Sequence, residues 1–441
     1  MPARNAEATP PARARARLRR AAAPLRLSLG LGLLALPSLA CAGVGARANL
    51  RAEKTVAMEM EHVERVERDD PELTPQQVVV AAEPRPACRE NAGLAACRMH
   101  PIAGDHGAVA LAAGHGVIGL LLADGSWDGR GSERATLVLH DRALAPVGEA
   151  TLRASGPVVD AALTATSDGW FVALATREHI EVLRLNPAGE EAAARLRVDK
   201  ASSPRFAADP RDPSAPLLAW AEWTGAVYSR GAASTTRTRL FDQTTEPNFA
   251  GQVAVGAGDF LVSRRGSRGV EVVRVGADGV VRSRHADVGT STEYPTLVRC
   301  DDGPRMIWSD FAQRGEIRWA RLDDDGALVG PQIRLSGVPD HFNHAPAICA
   351  GVDTLVLLTG YTGGTGLSKT LDLARVDAQG ARIGEPLRIY DGAAGVAYRP
   401  AMIRDGDALF VAWGARVSPQ IALARVDLER AEGRARRRIA R

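Results

Sequence analysis

The chain has 441 residues, 45% hydrophobic and 24% charged, with five cysteines and a formal charge of +3. This is ordinary globular composition, and a packed core is expected. Residues 1–40 hold seven Arg and one Glu, and Arg430 to Arg441 hold six Arg and one Glu, which leaves a body of about −8 that does not resemble a nucleic-acid-binding domain.

In chain order, an export leader comes first. Arg13, Arg15, Arg17, Arg19, Arg20 and Arg26 precede Leu27 to Leu36, an apolar run too short to span a bilayer. Pro37, Ser38, Leu39, Ala40 and Cys41 follow. Small residues before a cysteine resemble the bacterial lipobox, although Ser38 stands where that motif prefers leucine. The resemblance implies that residues 1–40 are removed and that Cys41 becomes a lipid-carrying first residue. Cleavage after Ala40 or Ala42 is the alternative. The expected location is the bacterial envelope, periplasm or outer membrane, anchored to membrane through Cys41, or else soluble and secreted.

Residues 41–104 read as a tether and entry segment. Val56, Met60, Val63 and Val66 follow helical spacing, while Val56, Met58 and Met60 equally suit a strand. Val78 to Val80 form a short strand with nothing local to pair with. Cys88 and Cys97 close a small loop and are expected to form a disulfide in an oxidising compartment. Cys300 and Cys349 lie near the first strands of adjacent repeats, and either pair or stay buried as thiols. No cysteine pair has the close spacing of a zinc site, and no metal or cofactor is expected.

Residues 105–430 repeat one module about every 45 to 55 residues, the size of a propeller blade. The unit from Tyr294 to Asn343 defines it: four short apolar runs bounded by Asp and Gly, each too short for a helix, form an antiparallel meander. The second runs align best: Ile118–Leu122, Phe171–Ala175, Leu217–Trp220, Phe260–Ser263, Met306–Trp308, Leu355–Leu358 and Leu409–Trp413. Trp220, Trp308 and Trp413 recur at one position and read as core. Third runs end on Arg, an apolar residue and a turn, at Arg184, Arg274, Arg321, Arg375 and Arg425, and four are followed by Gly189, Gly279, Gly326 and Gly380. Pro157, Pro295, Pro346 and Pro400 mark first strands, where proline suits the opening position. The last module lacks a fourth strand. The expected fold is therefore an all-β, seven-bladed β-propeller of four-stranded antiparallel blades, closed by an N-terminal strand, Val78 to Ala81 or alternatively Val56 to Met60. Residues 431–441 form a basic, solvated tail.

In such a wheel the loops joining strands two and three, and those joining blades, share one face. The short Asp/Gly turns lie on the other. The long loops hold Trp127, Tyr294, Asp310, Phe311, His341, His344, Tyr361, Tyr398 and Arg399, the candidate ligand-binding residues. Asp323 and Asp325 are read as a turn and not a calcium loop, because the same place in another blade is Asp377, Ala378, Gln379 and Gly380.

The repeats resemble those of secreted bacterial β-propellers, which implies an architecture and transfers no catalytic residue. The sialidase Asp-box is not intact: Ser167, Asp168, Gly169 and Trp170 are compressed. No acid/base pair or nucleophile recurs at a recognisable spacing. The sequence favours a non-catalytic, monomeric module that binds a protein, peptide or glycan on the long-loop face. The alternative is a sialidase-like or other glycan-active hydrolase or lyase with carboxylates such as Asp310 at the channel mouth.

Overall fold

The computed structural model describes residues 94–101, 108–123, 132–209, 212–222, 227–231, 237–241, 250–255, 259–265, 269–286, 292–310, 316–335, 346–362, 368–390, 397–415 and 420–428. They form 28 strands in seven four-stranded antiparallel sheets. One strand, β1 (Ala96–Pro101), precedes the meanders. Blade 1 is β2 (Ala108–Gly114), β3 (Val117–Ala123), β4 (Arg134–His140) and β5 (Pro146–Arg153). Blade 2 is β6 (Asp160–Thr166), β7 (Gly169–Ala175), β8 (His179–Leu185) and β9 (Leu196–Asp199). Blade 3 is β10 (Ala201–Asp209), β11 (Asp212–Glu222), β12 (Val227–Gly231) and β13 (Thr238–Phe241). Blade 4 is β14 (Ala250–Val255), β15 (Asp259–Arg265), β16 (Val270–Gly276) and β17 (Val281–His285). Blade 5 is β18 (Thr292–Cys300), β19 (Gly303–Asp310), β20 (Glu316–Leu322) and β21 (Leu328–Arg334). Blade 6 is β22 (Ala347–Ala350), β23 (Asp353–Thr362), β24 (Ser368–Val376) and β25 (Leu387–Tyr390). The last sheet runs β26 (Ala397–Asp405), β27 (Ala408–Ala415), β28 (Gln420–Asp427) and then β1.

Each blade buries both faces against its neighbours, so its second strand is apolar on both sides and reads as a continuous hydrophobic run. In β19, Met306 and Trp308 pack toward blade 4 with Leu261, Val270 and Val272. Ile307, between them, packs toward blade 6 with Val356 and Leu358. Trp220, Trp308 and Trp413 are buried, as expected for core residues. The same pattern joins first to last: Leu111, Ile118 and Leu120 share a cluster with Phe410, Ala412 and Leu423. An all-β propeller of four-stranded antiparallel blades accounts for this succession of paired faces.

The strand that pairs with β28 is not one of those expected. Ala96 opposes Arg425 and His100 opposes Ile421, whereas Val56–Met60 and Val78–Ala81 lie outside the described residues. Cys97 and Met99 alternate with Arg98 and His100, but the run is short and ends on Pro101, so it is a weak strand signal on its own. Cys97, within β1, is disulfide-bonded; Cys88 lies outside the described residues. Cys300 and Cys349 are joined to each other across blades 5 and 6.

Two of the four prolines occupy a different place from that expected. Pro157 and Pro346 precede their strands, but Pro295 and Pro400 sit inside β18 and β26. The register jumps there: Glu293 pairs with Ser309 and Thr296 with Ile307, leaving Tyr294 and Pro295 opposite Trp308. Arg399 and Pro400 likewise oppose Trp413, and Ser203 and Pro204 oppose Trp220. A bulge leaves a residue outside the ladder, which is where a proline without an N–H is tolerated.

The turns between strands three and four explain the recurring glycines. Asp323 accepts backbone hydrogen bonds at Oδ1 from Asp325 (3.0 Å) and Ala327 (2.8 Å). Asp377 does the same for Gln379 and Ala381, so both are side-chain-capped turns. Gly380 has φ +88°, and a Cβ there would lie 2.7 Å from Ile333 and 2.8 Å from Trp319 of the preceding blade. The glycine is thus a docking point between blades as well as a turn residue. In blade 1 the same position is Leu144, at φ 68° and buried.

Candidate functional site on the long-loop face

Of the nine ligand-binding candidates, Trp127, Phe311, His341 and His344 lie outside the described residues, as does the lipidation candidate Cys41. Tyr294, Tyr398 and Arg399 are on the first strands β18 and β26, and Tyr361 is near the end of β23, opposite Lys369. Tyr294 and Arg399 hold equivalent bulge positions, each directly before the proline that opposes a tryptophan. Tyr398 is instead equivalent to Glu293: the two tyrosines that look alike in sequence are offset by one residue.

Asp310 ends β19 opposite Glu316. Both are buried. Oδ2 of Asp310 lies 2.8 Å from Nε of Arg318, and Glu316 meets Arg318 at 3.5 Å and Arg334 at 3.2 Å. Asp310, Glu316 and Arg318 share the side of the sheet that packs on blade 4, with Trp308 and Ala320. The carboxylates are therefore set between blades and neutralised by two guanidinium groups. Other acids near this face are paired too: Asp160 with Arg205 at 3.1 Å, Glu271 with Arg264 at 2.7 Å, and Asp372 with Arg388 at 2.5 Å.

The densest polar cluster was not evident from sequence, because its members come from a blade connection, from β8 and from the loop before β9. Ser155, exposed after β5, lies 2.8 Å from Nε2 of His179 and donates to Oε1 of Glu181 at 2.5 Å. His179 Nε2 is also 3.0 Å from that same oxygen, and Arg195 donates to Oε2 at 2.9 Å. The Ser155 amide adds a bond of 2.8 Å to Oε1. The residue types suggest a nucleophile triad, but the geometry does not support one. A relay carboxylate sits behind the imidazole, on the nitrogen away from the serine. Here that nitrogen, Nδ1, faces Thr176 Oγ1 at 3.1 Å, and the carboxylate shares the serine's side. Burial alone would raise the Glu181 pKa, but hydrogen bonds from Ser155, His179 and Arg195 outweigh it and hold the group down at about 2. A carboxylate so saturated accepts no proton near neutral pH. Its effect is to pin the blade 1–2 connection to β8.

Beside this cluster, Arg177, Glu178, Arg197, Asp199 and Lys200 line an open depression of about 390 Å³. The pairings His179 to Asp199 and Glu181 to Arg197 make the two features adjacent. Lys200 takes a left-handed φ of 56° in the turn into blade 3, and Asp199 is bound to Arg197 at 2.7 Å.

Neither the protein-family comparison nor the comparison with curated proteins finds a match. Among solved structures the chain is similar to one titled "Structure of Dos1 propeller", at 10% identity and a TM-score of 0.45, over 74% of this chain and 94% of that one. The propeller assignment stands on the sheets and their packing. Among the described residues no group of three or more His, Cys, Asp or Glu side chains is placed to hold a metal ion.

Proposed function

We propose that the protein is a non-catalytic, envelope-attached β-propeller that binds a protein, peptide or glycan through its long-loop face. In this reading seven blades close into one wheel, β1 is the closing strand, and Cys41 carries the lipid that tethers it. The supporting observation is the state of the acids: Asp310, Glu316, Glu181, Asp160, Glu271 and Asp372 are each held by arginine. A glycoside hydrolase needs one carboxyl group that keeps a proton at neutral pH and a second that stays free to attack or activate water. Arginine pairing already occupies the carboxylate oxygens that either role would use. A polar rim on a rigid ring, with the charged depression of blade 2, suits recognition of a polar partner.

The test is binding by the mature protein to a panel of envelope glycans and peptides, with Tyr294→Ala, Tyr398→Ala and Arg399→Ala compared against the parent. Loss of binding at unchanged melting temperature is expected. Equal binding by all three variants would remove the assigned face. Steady turnover of a fluorogenic glycoside, abolished by Asp310→Asn, would replace the proposal with the hydrolase reading.

A further inference from the structure

Where blade 1 meets the last blade, the contacts differ from those at the other junctions. Elsewhere a turn glycine rests on the preceding blade: Gly326 against Val272, Gly380 against Trp319. At this seam the turn residue is Leu144, whose side chain enters the cluster of Ile421, Leu423 and Phe410. Its carbonyl oxygen accepts from Nη1 of Arg98 at 3.1 Å, and lies 3.2 Å from Nδ1 of His140. A carbonyl only accepts, so Nδ1 carries the proton of neutral His140 and Nε2 is a bare lone pair. His100, from β1, stacks edge-on against His140 with ring centroids 4.8 Å apart. Both imidazoles are buried, and the Nε2 atom of each has no hydrogen-bond partner.

We propose that this histidine pair makes the seam an acid-released latch, in which protonation of His100 and His140 detaches β1 from β28 while the rest of the wheel stays folded. The idea rests on closure by β1 as proposed above. Among the described residues β1 is the outermost strand of its sheet, paired only with β28, and like the outer strand of each other sheet it is less costly to release than an inner one. A proton on either Nε2 creates a buried cation with no acceptor, beside a second imidazole and the Arg98 guanidinium.

The surroundings offer little compensation. Facing the pair, β1 contributes Arg98, and the turn after β4 contributes Asp141, which favours the charged form of His140. Arg142 of that turn is occupied by Asp405 of β26 at 2.7 Å, and Arg425 of β28 donates to the Arg142 carbonyl at 2.9 Å. β3 and β27 present Ile118, Leu120 and Phe410. Burial, then His140 and Arg98, lower the His100 pKa from 6.5 to about 4, and burial lowers that of His140. For a histidine depressed in the folded state, stability is full above the unfolded value and is lost as pH falls from about 6.5 toward 4.

Amide hydrogen exchange of the mature protein, expressed as protection factors at pH 7.5 and 4.5, tests the latch. Protection of the β1 amides is expected to fall roughly 100-fold at pH 4.5, the shift of His100 converted by linkage, with protection of β7 and β19 retained. In the His100→Gln, His140→Gln double variant that loss should disappear. Unchanged β1 protection at pH 4.5, or an equal loss in the double variant, overturns the latch. If the variant does not fold, equal loss of protection across all blades of the parent overturns it as well. A β1 that is unprotected already at pH 7.5 would overturn the closure itself, a distinct result.

Discussion

Arg274 joins two blades: its Nε binds Asp259 of its own blade at 2.7 Å, and its Nη1 binds Asp325 of the next, also at 2.7 Å. It belongs to the arginine series that ends the third strands. Arg375 holds Asp353 and Arg184 holds Asp168, so in these blades the repeated arginine clamps the acidic turn before the neighbouring strand, whereas Arg425 pairs with Asp427 of its own strand. Asp325 is well exposed, and solvent screens its pair with Arg274. A double-mutant cycle of Arg274→Ala and Asp325→Ala should therefore give a coupling of only about 0.5 kcal/mol. Urea unfolding of the four proteins measures it, and a coupling near zero would mean that this ion pair adds nothing to the packing of blade 4 on blade 5.

Gly380 and Gly384 separate backbone strain from crowding. Both have positive φ, 88° and 72°, but a Cβ at Gly384 meets nothing within 4 Å. Gly384→Ala should cost about 1 kcal/mol, from the left-handed conformation alone. Gly380→Ala adds a clash with Trp319 and Ile333, and should cost about 2–4 kcal/mol in all. Equal losses in denaturant melts would show that the blade-to-blade contact yields freely.

Glu181 sets a second acid-sensitive step, lower than that of the histidines. Its folded pKa, about 2, is below the ordinary 4.5, so its stabilisation is complete above about pH 4.5 and is lost as pH falls toward 2. The full term is on the order of 3 kcal/mol. Glu181→Gln should lower stability at pH 7 and flatten the unfolding curve below pH 4.5. A parallel pH profile in the variant would refute this assignment.

The Cys300–Cys349 bond closes a separation of 49 residues, which on loop entropy contributes about 4 kcal/mol. Cys300→Ser with Cys349→Ser should lower the unfolding free energy by about 2–4 kcal/mol. A reductant should lower the stability of the parent by at least that much, and that of the variant only through the remaining Cys97 bond.

Much of this architecture was legible in the chain itself. Repeated runs such as Phe171–Ala175 and Leu409–Trp413 mark second strands because a blade buried on both faces leaves no polar alternation to obscure them. Asp323 and Asp377 mark turns because a side-chain oxygen satisfies two backbone amides locally. These are effects within a few residues, which a sequence displays directly.

Tertiary structure decided what depends on distant partners. The proline at position 295 proved to occupy a bulge because Trp308, on another strand, faces two residues there. The acid at position 310 proved to be a buried ion pair because Arg318 returns beside it, and β1 became a strand only by pairing with residues more than 300 positions away. Local periodicity reports which backbone is extended; which groups meet, and with what charge, is fixed by the packing of one sheet on the next.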